Sequence, residues 1–187
     1  MTQARPRPVN QLTRGQLRLI DELQEIASLV KVDFRDVHSY EKASRTPLLE
    51  MMQRRLIISE VIVSYTLTDE HLNVRIARFF FGKNKSFIRL WKTKPFRLFN
   101  NHVLEELPLM AKLRFAKSIS KVPKGVAADI ERLNALRNGL AHAFFPENLR
   151  KSKPEWKGKK IFSIEGLRIF VEDMRKIDMY FLPDWNG

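Results

Sequence analysis

Wound as a helix, residues 126–145 gather Val126, Ile130, Leu133, Leu140 and Phe144 into one narrow apolar stripe, with Arg137 at its centre. A guanidinium cannot shed its charge inside a protein, and an unpaired one in a dry core costs several kcal/mol. Two arrangements satisfy it: a carboxylate from another helix pairs with Arg137, or the stripe opens at that level onto a cleft or a subunit interface. Beside the stripe, Asn134, Asn138 and His142 repeat four residues apart, so a polar seam runs along an apolar one.

The rest of the chain reads as helices of the same kind. Residues 11–32 place Leu12, Leu19, Leu23, Ile26 and Val30 at three- and four-residue spacings. Pro47 suits the opening of a second helix. The stretch LIISEVIVSYT (56–66) is rich in β-branched residues, which admits a strand, but its neighbours favour a helix that stops at Gly82. A basic connector follows, in which Lys83, Lys85, Arg89, Lys92, Lys94 and Arg97 alternate with Phe87, Trp91 and Phe96. Residues 98–119 read as a long helix interrupted or kinked by Pro108, and KVPKG as a turn. After the 126–145 helix comes a polar loop, then a last helix capped by Ser163 and ending at Pro183. The expected architecture is an all-α, single-domain bundle of about five to seven helices over residues 11–187, behind a basic tail at 1–10.

Composition narrows the partners. Lys and Arg number 34 against 21 Asp and Glu, for a net charge of +13 and a pI near 10.2. A surface that basic attracts polyanions, of which nucleic-acid backbones are the commonest in a cell. With no cysteine, disulfides, thiolate metal sites and cysteine nucleophiles are excluded. His38 and His71 show no metal-ligand spacing, so neither a metal nor another cofactor is expected. No apolar run approaches a membrane span, and the basic first residues precede no apolar core of a signal peptide, so a cytoplasmic chain is the expectation.

Within the motif helix, RNGLAH (137–142) resembles the signature of the HEPN superfamily: an arginine, a polar residue, a few variable positions and a histidine. Arg137 matches the arginine, Asn138 the polar residue and His142 the histidine, and the likeness extends over roughly residues 50–182. A second pair, Arg97 and His102, has the same spacing but no polar residue after its arginine. It reads as coincidence or as part of an RNA-contacting surface. The resemblance implies a small helical bundle and, in many members, a metal-independent endoribonuclease or toxin that works as a two-fold dimer. It also implies an acidic residue on an earlier helix approaching Arg137, for which Asp69, Glu60 and Glu70 are available, Asp69 being the choice.

The resemblance implies RNA cleavage by attack of the 2′-hydroxyl, which leaves a 2′,3′-cyclic phosphate and spares DNA, and these residue types suit that chemistry. Histidine exchanges protons near neutral pH. Arginine offers a planar fork of donors to a phosphate. Asparagine orients the phosphate or holds the imidazole in one tautomer. Residues five apart on a helix lie about 140° around its axis, so Arg137 and His142 diverge unless Gly139 lets the helix deform. Otherwise two copies of the motif meet across a two-fold axis, which predicts a homodimer through the 126–145 helix. Asn134, Arg150, Lys151, Lys153 and Trp156 are expected to contact RNA, Trp156 by stacking on a base. The resemblance further implies an inhibitory, antitoxin-type partner. The alternatives are a HEPN-like module that binds RNA or nucleotide, or serves assembly, without cleaving, and below it a DNA-binding regulator, for which no helix-turn-helix signature stands out.

Overall fold

The computed structural model describes residues 14, 41–82, 87–141 and 154–186, the side chains of residues 88, 141 and 186 excepted. Its contacts divide the chain into two compact units, Met1–Leu49 and Glu50–Gly187, where the sequence led us to expect one domain from residue 11 onward. Of the first unit, residues 14 and 41–49 are described, the last eight opening a helix. The fold and site below belong to the second unit.

Among the described residues the structure is all-α apart from one small hairpin. The helices are α1 (Lys42–Phe81), α2 (Phe87–Trp91), α3 (Lys94–Phe99), α4 (Leu109–Ile119), α5 (Lys124–Ala141) and α6 (Ile164–Asn186). A π-helical turn, Asn100–Leu104, follows α3, and two short antiparallel strands, β1 (Glu155–Trp156) and β2 (Lys159–Lys160), precede α6.

The β-branched stretch in α1 is helical, and its burial shows why. Ile57, Val61, Ser64, Thr68 and Leu72 are buried at steps of three and four, the period of a helix face and not of a strand. Gly82 ends α1 in the left-handed region at φ 78°, which glycine adopts without a steric penalty. Pro47 does not open the helix: it is the sixth residue of α1, beyond the first turn where a missing N–H costs nothing.

Of two other prolines, Pro108 interrupts its helix as expected and Pro183 departs from expectation. The helix expected at 98–119 is split into α3, the π-helical turn and α4, because Pro108 restarts the chain as the residue before α4. Its carbonyl accepts the N–H groups of Ala111 (2.8 Å) and Lys112 (3.1 Å). Pro183 does not end α6, which runs on to Asn186. Arg78 explains the extension, since its Nε–H and Nη2–H donate to the carbonyls of Asp184 (2.8 Å) and Trp185 (3.4 Å), groups with no helical partner in a last turn.

The expected polar loop is in part a hairpin. Trp156 faces Lys159, and the two residues between them, Lys157 (φ 48°) and Gly158 (φ 79°), both have positive φ as a type I′ turn requires. Ser163 caps α6 as expected, its Oγ accepting the Gly166 N–H at 3.1 Å.

The main core joins Ile57, Val61 and Leu72 of α1 to Leu109 and Leu113 of α4, Ile130, Leu133 and Leu140 of α5, and Phe170, Ile177 and Phe181 of α6. A second cluster gathers Val74, Ala77, Phe87, Leu90 and Phe96.

Candidate functional site

On α5 the buried positions among the described side chains are Ala127, Ile130, Leu133, Leu136 and Leu140, so Arg137 lies on the core side of the helix by angle. It is nevertheless exposed. At its level α5 faces a cleft of about 310 Å³, whose walls are Ile58, Val61, Ile62, Tyr65 and Thr66 of α1 with Arg137 and Leu140 of α5. Of the two arrangements that could accommodate the charge, the structure has the second: the stripe opens.

Tyr65 sets the position of the guanidinium, which lies over the phenol ring at 5.3 Å from its centroid, a cation–π contact. Nη1–H of Arg137 donates to Oδ1 of the neighbouring Asn138 at 3.3 Å. Burial raises the Tyr65 pKa, the charge of Arg137 lowers it and that of Asp69 raises it, with the balance upward from 10.0. Tyr65 therefore enters the cleft as a protonated phenol with one donor. Tyr65 and Thr66 were missed in the sequence. The available signal was the run Ser64-Tyr65-Thr66, polar residues set between Val61 and Leu72 on the same helix.

The expected acidic partner is not Asp69. Its Oδ2 accepts a hydrogen bond from Nζ of Lys112 at 2.6 Å, and Lys112 is only 2% exposed. A buried ammonium has the stronger need for that carboxylate. Glu60 is exposed and Glu70 half-buried, and among the described residues no carboxylate pairs with Arg137. Asn134 is half-buried one turn before Arg137, and Asn138 is exposed beside it. His142, Arg150, Lys151 and Lys153 lie outside the described residues.

Trp156 is not a base-stacking residue in this structure. Its side chain is fully buried, edge-on to Phe170 at 5.1 Å, and its indole N–H donates to Asp173 Oδ2 at 3.0 Å. A large ring in a thinly covered hairpin gains more from the core than from water. Around it Lys157 bridges α5 and α6 through Asp129 (3.0 Å) and Asp173 (2.7 Å). Burial alone would raise the Asp173 pKa, but hydrogen bonds from Lys157, Lys176 and Trp156 and the charge of Lys157 outweigh it and hold the group at about 2.

A second polar cluster locks α1 to α6. The indole N–H of Trp185 donates to Nδ1 of His71 at 2.8 Å, so the proton of the neutral ring sits on Nε2, which donates to Asp178 at 3.1 Å. Arg75 pairs with Asp184 and donates to the Tyr180 hydroxyl at 2.9 Å, and its guanidinium is 4.8 and 4.7 Å from the Tyr180 and Phe181 ring centroids. Both groups are spent on partners within the fold, so the cluster is a clamp. Among the described residues no group of three His, Asp or Glu side chains is placed to hold a metal ion, and no helix is long and apolar enough to cross a membrane.

Comparison of the chain with protein-family models, with curated proteins and with solved structures finds no match.

Proposed function

We propose that the chain is a HEPN-like, metal-independent endoribonuclease with its active centre at the Arg137 end of the α1–α5 cleft. The observation that carries the reading is an arginine on the core side of its helix, held by Tyr65 and Asn138, free of any described carboxylate and open to solvent. A guanidinium so placed keeps its donor fork available for a phosphate. His142, one residue beyond α5, supplies the proton chemistry.

In this reaction the substrate's 2′-oxygen forms a bond to the adjacent phosphorus while the bond from phosphorus to the 5′-oxygen breaks. The 2′-hydroxyl proton passes to a base and the leaving 5′-oxygen receives one, so a 2′,3′-cyclic phosphate and a 5′-hydroxyl result. Arg137 offsets the charge that gathers on the phosphate oxygens, and Asn138 fixes their orientation.

The active form in this reading is a two-fold dimer in which Arg137 of one copy and His142 of the other share a site. Two features support it. The spacing in sequence is one: residues five apart on an unbroken helix diverge by about 140° around its axis, which favours a site shared between copies. The α1 wall of the cleft includes Ile62, 52% exposed, and Leu56, Val63 and Leu67, 50%, 61% and 39% exposed, extend an apolar surface around the same helix of the kind a second copy covers. An inhibitory antitoxin-type protein is part of the same proposal.

The test is purified protein incubated with single-stranded and structured RNA in excess EDTA, with product ends analysed. Wild type yields 2′,3′-cyclic phosphate ends, and Arg137→Ala and His142→Ala do not. RNA binding without cleavage would favour the non-catalytic module, and equal cleavage by the variants would remove this site from the reaction.

A further inference from the structure

One feature outside the cleft joins exposed aromatic rings to cations. Phe79, Phe80, Phe99, Phe81, Phe96 and Trp91 form an unbroken series of ring contacts, with successive centroids 5.2, 5.2, 5.5, 5.6 and 5.3 Å apart. Its middle is core, with Phe96 fully buried. Its ends face solvent: Phe79 is 59% exposed, Phe80 53% and Trp91 44%. Among the described residues Phe79 makes its ring contact with Phe80 alone, so its place in the series is not required by the described core.

The charge around the ridge is one-sided. Between residues 87 and 121, seven exposed lysines and arginines stand against two exposed glutamates, Glu105 and Glu106. Cations adjoin the ridge along the chain: Lys92 follows Trp91, Arg97 lies two residues before Phe99, and Arg114 precedes Phe115, whose ring is 5.8 Å from that of Phe80. Exposed rings with cations and few carboxylates fit a ligand that offers flat apolar faces on a polyanionic string, which is single-stranded nucleic acid. A protein partner would need a matching acidic, aromatic-accepting surface.

We propose that this ridge is a single-stranded nucleic-acid platform: bases stack on Phe79 and Phe80 while neighbouring arginines and lysines hold the phosphates. Stacking reads the face common to all bases, so the platform takes RNA and DNA alike and is weakly sequence-selective. It is separate from the cleavage reading, since its ligand needs no 2′-hydroxyl and its residues lie outside the Arg137 cleft.

That separation makes the experiment clean. Binding of a short 5′-fluorescein oligothymidylate to the full chain is followed by anisotropy at low salt, and the lack of a 2′-hydroxyl removes cleavage. Phe79→Ala is expected to weaken binding about tenfold with an unchanged thermal melt, Phe79→Trp to restore it, and Arg137→Ala to bind as wild type. Binding by Phe79→Ala within about twofold of wild type would overturn the platform, on the scale expected of one lost stack. So would a drop in association state for Phe79→Ala by sedimentation, which would make the ridge a protein contact. If cleavage fails in every variant yet Phe79→Ala binds poorly, the platform stands and the nuclease reading falls.

Discussion

Two arginines in the second unit show how the surroundings of one residue type decide its role. Arg75 is enclosed by Asp184, Tyr180 and Phe181 and ties α1 to α6. Arg137 rests on one ring and one amide and is otherwise open. Arg75→Ala strands Asp184 beside an empty slot, and urea denaturation is expected to show a loss of about 2–4 kcal/mol. Arg137→Ala is expected to shift the same midpoint by less than about 0.5 kcal/mol, the range for surface positions. Asp173 gives a prediction in pH. Its folded pKa of about 2 lies below the value near 3.9 of an unfolded aspartate, so its ionised form stabilises the native state. That stabilisation is complete above about pH 4 and is lost as the pH falls from there to about 2, amounting to about 2.5 kcal/mol. Asp173→Asn should therefore flatten the decline in unfolding free energy between about pH 4 and pH 2, and an unaltered slope would place the acid sensitivity elsewhere.

At the level of elements, the start of α6 is the tightest joint. A Cβ added at Gly166 would collide with the carbonyl oxygen of Lys160 in β2, and backbone cannot step aside as a side-chain tip can. Gly166→Ala should thus lower the melting temperature although alanine is the better helix former by about 1 kcal/mol, because overpacking costs about 1–3 kcal/mol. A raised melting temperature would show that β2 does not seat there. These joints also mark what the sequence could and could not reveal. The stripe of α5 was legible because that helix buries one face, the β-branched stretch of α1 was assigned only from its neighbours, and Gly82 and Ser163 were readable as caps because their chemistry is local. The hairpin was not, since strands of two residues carry no alternation to detect. Trp156 was misread for the same reason: among lysines it looked exposed, and only the long-range bond to Asp173 reveals its place. Pro183 was read as a stop because the capping of the α6 end comes from Arg78, more than a hundred residues earlier.

The molecule as a whole carries a charge of +13, and binding of nucleic acid to it should be strongly salt-dependent. The logarithm of affinity should fall linearly with the logarithm of salt, and each phosphate-holding lysine or arginine removed from the Phe79–Trp91 ridge should reduce the slope by about 1. What sequence could not decide at this scale was how Arg137 escapes burial, because a helix pattern does not specify whether the facing wall is closed. The structure shows an open wall, with Ile62 of α1 exposed on it. A shared site across a two-fold axis then has a distinctive signature when two defective copies are mixed. The most direct measurement is RNA cleavage in EDTA by Arg137→Ala, by His142→Ala, and by the two co-refolded in equal amounts. Each variant alone should be inactive, and the mixture should recover about a quarter of wild-type activity, since half of the dimers are mixed and each of those keeps one intact site. Wild-type rates from either variant alone would contradict the account.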